Sequence, residues 1–265
     1  MRLKLILKTQ PNSVLAYEHH HALRAVIYKV LERADPVFSE WLHNQGYDAQ
    51  GSKKFKLFTF GLLTGRPFRR DDMRKQLIFP TGNVEWIVSF CVDKQIEKFV
   101  EGLFKNQVLE VVAEGTKVVF QVQGVEILPK PLFSDTMRFR AQTGICLTEK
   151  TDNDRYPQFR SPEHPNFKEL FFNSLEAKVL STQPITNIPV TNIQSPPQYV
   201  DIKILSEPRK WSAIVPQGNS EKAIRTIGYK FDFSITASAE WLEVGYFAGF
   251  GKGTSGGFGF VEELK

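Results

Sequence analysis

The residues with the most chemical potential lie between Gly249 and Gly259, where the sequence reads GFGKGTSGGFG and holds six glycines. Two reactive patterns overlap in this stretch. Residues 251–256 fit G-x-G-x-x-G, which binds the pyrophosphate of a dinucleotide, and residues 253–257 fit G-x-S-x-G, which presents a hydrolase serine. The first pattern would make the chain a dinucleotide-binding protein, and the second would make Ser255 a nucleophile.

Both chemistries lack residues that they require. A dinucleotide fold needs a helix, a strand and an acidic residue about 20 positions after the glycines, whereas nine residues follow Gly256. The hydrolase order needs an acid and then a histidine after the serine, and no histidine follows Ser255. The P-loop pattern does not occur either. The remaining interpretations are a loop that offers N–H groups and Lys252 to phosphates, or a flexible hairpin. The flanking Phe250, Phe258 and Phe260 favour an ordered loop anchored between two strands.

Histidine and cysteine patterns predict no metal or cofactor site. His19, His20 and His21 are adjacent, so their side chains should diverge, and no Asp, Glu or Cys set accompanies them at ligand spacing. Cys91 and Cys146 are too few for a disulfide framework or a four-cysteine zinc site. We therefore expect two buried, inert thiols, no metal, no cofactor and a reducing compartment.

Positive charge is unevenly distributed along the chain of 265 residues. Residues 1–131 contain 19 basic and 14 acidic side chains and residues 132–265 contain 15 of each, so the whole excess of five lies in the first half. Lys53 to Lys75 alone holds eight basic and two acidic residues. Such a segment favours a polyanionic partner such as nucleic acid, and a solvated loop is an equally good alternative from charge alone.

Hydrophobic patterning predicts the elements that must hold these residues. Alternating apolar residues indicate strands, and apolar stripes at helical spacing indicate helices, one of which starts at Pro36 behind an Asp35 cap. The order is strand, helix, strands, helix, strands, as in a ferredoxin-like β-α-β-β-α-β unit. Strands are predicted over residues 2–8, 55–62, 77–92 with a turn at 80–83, 108–113 and 117–127, and long helices over residues 21–32 and 93–106.

The second half repeats this order less clearly. Pro129 and Pro131 interrupt the pattern and predict a boundary between domains 1–131 and 132–265. A stretch rich in Pro, Asn, Thr and Ser over residues 183–197 is interpreted as an extended insertion. Strands are predicted near residues 138–148, 200–205, 226–236 and 242–248, and a helix near residues 166–179.

Composition excludes several classes of protein. With 42% hydrophobic and 24% charged residues, the chain belongs among folded globular proteins and outside disordered or collagen-like ones. No stretch approaches the roughly 20 apolar residues of a membrane span, and the N-terminal residues alternate charged and apolar types. We expect a cytoplasmic protein without membrane contact.

The glycine-rich segment also carries a family resemblance. It consists of Gly249-Phe250-Gly251, five residues that include Lys252, and then Gly257-Phe258-Gly259. In this spacing and position the sequence resembles the CRISPR-associated repeat-processing endoribonucleases of the repeat-associated mysterious protein (RAMP) superfamily. The resemblance spans the whole chain and implies an α+β fold with two tandem ferredoxin-like domains, in agreement with the boundary above.

The resemblance implies a reaction and its residues. These enzymes cut RNA without metal: the 2′-hydroxyl attacks the adjacent phosphate and leaves 2′,3′-cyclic phosphate and 5′-hydroxyl ends. The positions that correspond to the family's tyrosine, histidine and lysine are Tyr28, His43 and Lys56. His43 would serve in either proton role, Tyr28 would act as an orienting donor or a perturbed base, and Lys56 would stabilise charge on the phosphate. Helical geometry predicts that His43 faces outward, and His21, on the flank of Tyr28, is the substitute.

The implied partner is CRISPR repeat RNA, or the crRNA cut from it, and effector-complex subunits are expected as further partners of a monomer or homodimer. Two alternatives stay open: a non-cutting RNA-binding subunit with the same fold, and a ferredoxin-like nucleotide-binding module. Basic side chains and loop glycines are the RNA-binding candidates. They are Lys53, Lys54, Arg69, Arg70, Arg138, Arg140, Gly249, Gly251, Lys252, Gly257 and Gly259.

Overall fold

Both halves of the chain fold around antiparallel sheets. The computed structural model describes residues 1–48, 54–65, 67–186, 199–216 and 223–264. The first half contains β1 (Arg2–Lys8), β2 (Ser13–Ala16), α1 (His20–Ala34), α2 (Pro36–Asn44), β3 (Tyr47–Asp48), β4 (Lys54–Phe55), β5 (Phe58–Phe60), β6 (Arg69–Asp71), β7 (Gln76–Phe79), β8 (Asn83–Phe90), α3 (Asp93–Lys105), β9 (Val108–Ala113) and β10 (Thr116–Leu128). The second half contains β11 (Thr136–Ala141), β12 (Thr148–Glu149), β13 (Gln158–Phe159), α4 (Phe167–Thr186), β14 (Asp201–Ile204), β15 (Arg209–Pro216), β16 (Ala223–Lys230), β17 (Asp232–Thr236), α5 (Ala239–Ala248), a 3₁₀ turn (Thr254–Gly256) and β18 (Val261–Glu263).

The main sheet of the first half has the strand order β5-β8-β1-β10-β9, and all neighbours are antiparallel. The central strand β1 buries Leu3, Leu5 and Leu7 on one face, as its alternation predicted. Helices α1 and α3 connect strands that are not adjacent in the sheet, which is the split β-α-β arrangement of ferredoxin-like domains. Strand β9 extends this sheet at one edge.

The second half repeats the arrangement with the strand order β14-β17-β11-β18. Here β11 takes the place of β1, and α4 and α5 take the places of α1 and α3. The prediction of an α+β fold with two tandem ferredoxin-like domains is therefore confirmed. Strand β10 ends at Leu128 and β11 begins at Thr136. The boundary between residues 131 and 132 falls in this connection and stays a prediction.

Local signals in the sequence explain how α1 and α2 meet. Asp35 leaves α1 in an extended conformation, its Oδ1 accepts a hydrogen bond from the Phe38 N–H at 2.9 Å, and Pro36 opens α2. On its other side α1 packs closely on α3, because Gly102 has no side chain: a Cβ there would overlap the Val30 carbonyl oxygen. These contacts fix α1 and α2 as one corner of the first domain.

Four predicted elements differ from the structure. The strand predicted near residues 138–148 ends at Ala141 as β11, and the strand predicted near residues 226–236 is divided into β16 and β17. The prediction of a strand over residues 242–248 is wrong, because Ala239–Ala248 forms helix α5. Six of its ten residues are buried, so the segment shows no helical stripe, and a short apolar run cannot be assigned by periodicity. The predicted strand 55–62 is interrupted at Leu57, whose φ is 52°, and becomes β4 and β5.

The extended insertion predicted over residues 183–197 begins as a helix in the structure. Helix α4 continues to Thr186 and takes up the start of this stretch, and residues 187–197 lie outside the described residues. None of the described helices is long and apolar enough to cross a membrane.

Arg2 is the central polar contact between the two domains. Its guanidinium is 2% exposed and donates hydrogen bonds to the carbonyl oxygens of Val261 at 2.6 Å and Tyr246 at 2.7 Å. The same group lies 3.3 Å from the centre of the Tyr246 ring. Strand β1 of the first domain is thereby joined to α5 and β18 of the second.

Candidate active site

The corner between α1 and α2 brings Tyr28 and His43 together. Ser39 Oγ on α2 donates a hydrogen bond to the Tyr28 carbonyl oxygen at 3.0 Å and ties the two helices to each other. The Tyr28 and His43 rings then meet edge to face with centres 4.9 Å apart. Tyr28 is buried against Phe58, whereas His43 is exposed, as helical geometry predicted.

Lys56 reaches the same corner from the connection between β4 and β5. Its Nζ donates a hydrogen bond to the His43 carbonyl oxygen at 2.7 Å. Gly46 makes this approach possible: its φ is +69°, and a Cβ there would lie 3.0 Å from Lys56 Cδ and 3.2 Å from its Nζ. Behind Lys56, the Gln95 side-chain amide donates to the Lys56 carbonyl oxygen at 2.6 Å. The chain therefore positions Lys56 from both sides.

Arg24 is a fourth member of this corner and is not among the site residues predicted from the sequence. It lies one helical turn before Tyr28, and its guanidinium carbon is 5.7 Å from the centre of the Tyr28 ring. Burial, with the charges of Arg24 and Lys54 added, lowers the pKa of Lys56 to about 8. The signal that could have identified Arg24 is its i, i+4 spacing from Tyr28 on a face that also carries His21.

Tyr28 and Lys56 differ in how readily they give up a proton. Burial raises the pKa of Tyr28 although nearby Arg24 opposes this shift, so the phenol keeps its proton at neutral pH and acts as a donor. The Tyr28 hydroxyl is buried and has no hydrogen-bond partner among the described residues. Lys56 is charged at neutral pH and can give up its proton readily, because its pKa is about 8. The corner thus offers an imidazole, a labile ammonium and an uncommitted hydroxyl.

The histidine run lies at the start of α1. The His19 and His20 rings are buried and stack at 5.0 Å, so the expectation that these neighbours diverge is wrong: His19 precedes the first residue of the helix and folds back to place its Nδ1 2.7 Å from the Ala16 carbonyl oxygen. His21, the substitute for His43, is exposed. Among the described residues, no group of three or more His, Cys, Asp or Glu side chains could hold a metal ion.

The basic RNA-binding candidates occupy three separate places. Lys54 is exposed and pairs with Asp48 at 2.9 Å, next to the corner, while Lys53 lies outside the described residues. Arg69 and Arg70 are exposed on β6, and the Arg70 guanidinium lies 5.2 Å from the centre of the Tyr17 ring. Arg138 and Arg140 are exposed on β11 of the second domain, where Arg140 binds Asp232 through two hydrogen bonds of 2.9 and 2.8 Å.

The four candidate glycines of the C-terminal segment are buried. Gly249, Gly251, Gly257 and Gly259 have φ values of 84°, 77°, 85° and 67°, which side chains rarely adopt. A Cβ on Gly257 would lie 2.6 Å from Phe60 Cε2, and a Cβ on Gly259 would overlap the carbonyl oxygen of Phe250. Their lack of side chains is therefore required for packing within this chain.

Polar contacts fix the same segment between the two domains. Lys178 is buried and its Nζ donates to the carbonyl oxygens of Gly249 at 2.6 Å and Gly251 at 2.5 Å. Thr59 Oγ1 on β5 donates to the Phe258 carbonyl oxygen at 2.9 Å. The Lys252 ammonium donates to Thr148 Oγ1 at 2.6 Å. The flexible-hairpin interpretation is therefore wrong, because the segment is an ordered connection anchored at both ends.

Comparison with known proteins identifies the family. Residues 127–263 match the family described as CRISPR associated protein Cas6, C-terminal, and residues 14–125 match CRISPR-associated protein Cas6, N-terminal. The chain belongs to the Cas6 family. The two matches meet near residue 126, so each ferredoxin-like domain of this Cas6 family member corresponds to one family domain.

Relatives of this Cas6 family member cover its whole length. It is 26% identical over 269 residues to a Methanocaldococcus jannaschii protein named CRISPR-associated endoribonuclease Cas6 1, a match that covers 100% of this chain and 93% of the relative. A structure of a Cas6-related gene product from Pyrococcus furiosus superposes with a TM-score of 0.78 at 18% identity, over 100% of this chain and 98% of the other. A structure described as an RAMP protein binding different RNA substrates gives 0.76 at 17% identity, over 100% of both chains. These structures share the fold.

Proposed function

We propose that this Cas6 family member is a metal-independent endoribonuclease that cleaves CRISPR precursor RNA within its repeats. The observation that carries the proposal is the meeting of Tyr28, His43 and Lys56 at one corner of the first domain, where His43 is exposed. The Tyr28 and His43 rings are 4.9 Å apart, and Lys56 Nζ is 2.7 Å from the His43 carbonyl oxygen. The name of the M. jannaschii relative supports the same activity.

The reaction requires two proton transfers and one site of charge stabilisation. The 2′-oxygen forms a bond to phosphorus while the bond from phosphorus to the 5′-oxygen breaks, which leaves a 2′,3′-cyclic phosphate and a 5′-hydroxyl. His43 is exposed to the substrate and takes the 2′ proton. Lys56, with a pKa of about 8, stabilises the charge on the phosphate oxygens and can supply the proton that the 5′-oxygen needs. Tyr28 donates its hydrogen bond to the phosphate.

The partner in this proposal is CRISPR repeat RNA. Arg24 and Lys54 lie beside Lys56 and add positive charge where a phosphate must bind. Arg69 and Arg70 extend the exposed basic surface of the first domain. Effector-complex subunits as partners, a monomeric or homodimeric assembly and a cytoplasmic location stay predictions.

A cleavage assay in excess EDTA tests the proposal. The protein is incubated with its cognate repeat RNA, and the ends of the products are determined. We expect a single cut that leaves a 2′,3′-cyclic phosphate, and no cut in an RNA with a 2′-deoxy nucleotide at that position. Tight binding without cleavage would instead support the non-cutting RNA-binding subunit, and absence of binding would support a nucleotide-binding module.

A further inference from the structure

An open cavity of about 560 Å³ lies against α2, on the side of the helix away from His43. Its wall is aromatic: the Phe38 and Trp41 rings stack with centres 5.8 Å apart, and Tyr47 meets Trp41 edge to face at 5.0 Å. Trp41 is only partly buried, so part of its ring remains open to a ligand. The volume is in the range of pockets that bind small ligands.

The lining of this cavity includes one cationic side chain, that of Lys94. Lys94 is exposed, its Nζ lies 5.0 Å from the centre of the Phe38 ring, and it forms no salt bridge with any described residue. Among the described residues that line the cavity, Asp35 is the only acid, and its Oδ1 already accepts a hydrogen bond from the Phe38 N–H. An aromatic wall with an adjacent cation suits a flat π-system that carries a phosphate.

The cavity lies beside the elements that hold the candidate active site. On one side, Tyr47 pairs with Phe55, the residue before Lys56. On the other side, Lys94 precedes Gln95, whose amide holds the Lys56 carbonyl oxygen at 2.6 Å. A helix is about 10 Å across with its side chains, so the cavity and His43 are separated by one helix width. RNA bound at His43 and Lys56 therefore needs to extend only a few nucleotides to reach the cavity.

We infer that this cavity binds one unstacked nucleobase of the RNA, near the cut, with the base stacked on Trp41 and the adjoining phosphate bound by Lys94. The inference rests on the proposed function. Sequence-specific recognition of RNA uses splayed-out bases that stack on aromatic side chains. A base at this position would define the register of the cut, because it fixes which phosphate lies at His43 and Lys56.

Substitutions of Trp41 test the stacking. Trp41→Phe keeps an aromatic ring, Trp41→Leu keeps only an apolar side chain, and Phe104→Leu removes an aromatic that is 78% exposed at the far end of α3. We expect Trp41→Leu to weaken repeat RNA binding about tenfold, and Trp41→Phe and Phe104→Leu to change it less than about threefold. Equal affinities for Trp41→Leu and Trp41→Phe would overturn the inference.

A set of repeat RNAs identifies the base. Each RNA carries one abasic nucleotide at one of the five positions on either side of the cut. One abasic position should weaken binding to the unaltered protein about tenfold and cause no additional loss with Trp41→Leu. If every abasic RNA weakened binding equally with both proteins, no base would occupy the cavity and the inference would be wrong.

Lys94→Glu is the variant for the case in which Trp41→Leu does not fold. Because Lys94 is exposed, its substitution leaves the core intact, and we expect at least tenfold weaker binding at low salt and a smaller loss at high salt. Unchanged binding would contradict the inference. Failure of the proposed function is recognised separately, because the unaltered protein would then not cut the intact RNA at all.

Discussion

The glycine-rich segment and the α1–α2 corner differ in how far their polar groups are already satisfied within the chain. In the segment, Lys178 caps the carbonyl oxygens of Gly249 and Gly251, and Thr59 caps that of Phe258. At the corner, the Tyr28 hydroxyl has no partner among the described residues, and His43 is exposed. A region with an unpaired polar group can act on a substrate, whereas a region whose polar groups are already paired within the chain holds the fold.

The most conspicuous motif in the sequence is therefore structural, and the residues proposed to be catalytic are inconspicuous. The most conspicuous motif, from Gly249 to Gly259, builds the connection between the two domains. The residues proposed to do chemistry come from three separate elements and form no local pattern in the sequence. The motif is conspicuous because Gly249, Gly251, Gly257 and Gly259 leave no room for a Cβ, whereas reactivity depends on side chains that only the fold brings together.

The largest expected effect is loss of stability in the glycine-rich segment. In Gly259→Ala the new Cβ would overlap the Phe250 carbonyl oxygen at a φ of +67°, and we expect a cost of about 4 kcal/mol and a melting temperature lower by roughly 10 °C.

Gly253→Ala is the matched control for that variant. Its φ of +70° is nearly the same, but its Cβ would lie 3.6 Å from the nearest atom, an ordinary contact. We expect a cost of about 1 kcal/mol from the left-handed backbone alone. Equal melting temperatures for the two variants would show that packing within the segment is not what requires glycine.

The next effect concerns activity at the corner. Lys56→Ala removes the cation from the phosphate, and we expect cleavage to slow by about 10²- to 10³-fold. The free energy of unfolding should change by less than about 1 kcal/mol, because the half-buried ammonium gives up one hydrogen bond and its desolvation cost together. Lys105→Ala, which removes a partner of Glu101 at the end of α3, is the control and should cleave at the normal rate.

The pH dependence of cleavage follows from the protonated form of Lys56. Since its pKa is lowered to about 8, raising the pH through about 8 removes the charge, and the rate should fall. A bound phosphate favours the ammonium, so the midpoint in the complex should lie at or above this value. In Lys56→Arg the guanidinium stays charged throughout the range in which Lys56 loses its proton, and the alkaline fall should disappear. The same fall in both proteins would assign it to another group.

The smallest expected effect is that of removing the Tyr28 hydroxyl, which should lower the cleavage rate without lowering the stability. Tyr28→Phe removes a buried hydroxyl that has no hydrogen-bond partner among the described residues. The free energy of unfolding should therefore change by less than about 0.5 kcal/mol, while cleavage should slow about tenfold. A clear loss of stability in urea denaturation would mean that this hydroxyl belongs to the fold rather than to the site.

The order of strands and helices in the sequence was sufficient to predict the fold class, because alternation in Arg2–Lys8 and the stripe of α1 each point to one structure. Helix α5 could not be assigned because it is buried on most sides and shows no amphipathic period. The hairpin of β15 and β16 was likewise not predicted as a pair, because no local pattern shows that Ile214 and Trp211 of β15 contact Glu18 and His20 of the first domain.

The candidate site was predicted in part. Tyr28, His43 and Lys56 follow from the family resemblance, and the structure brings them together. The roles of Gly46 and Arg24 could be recognised only in the structure. The Lys56 side chain packs where a Cβ on Gly46 would lie, and the charge of Arg24 helps to lower the pKa of Lys56. Sequence spacing shows which side chains share a helix face but not which elements meet.

The most direct test of the account is the single-turnover cleavage rate of His43→Ala, measured with saturating protein and repeat RNA in excess EDTA at pH 7. His43 is exposed, and its side chain lies against Asn44 Oδ1 and the Tyr28 ring, so the fold and the affinity for RNA should be retained. We expect a rate at least about 100-fold lower, with a dissociation constant within about threefold of the unaltered protein. Cleavage at the unaltered rate would contradict the assignment of the α1–α2 corner as the active site.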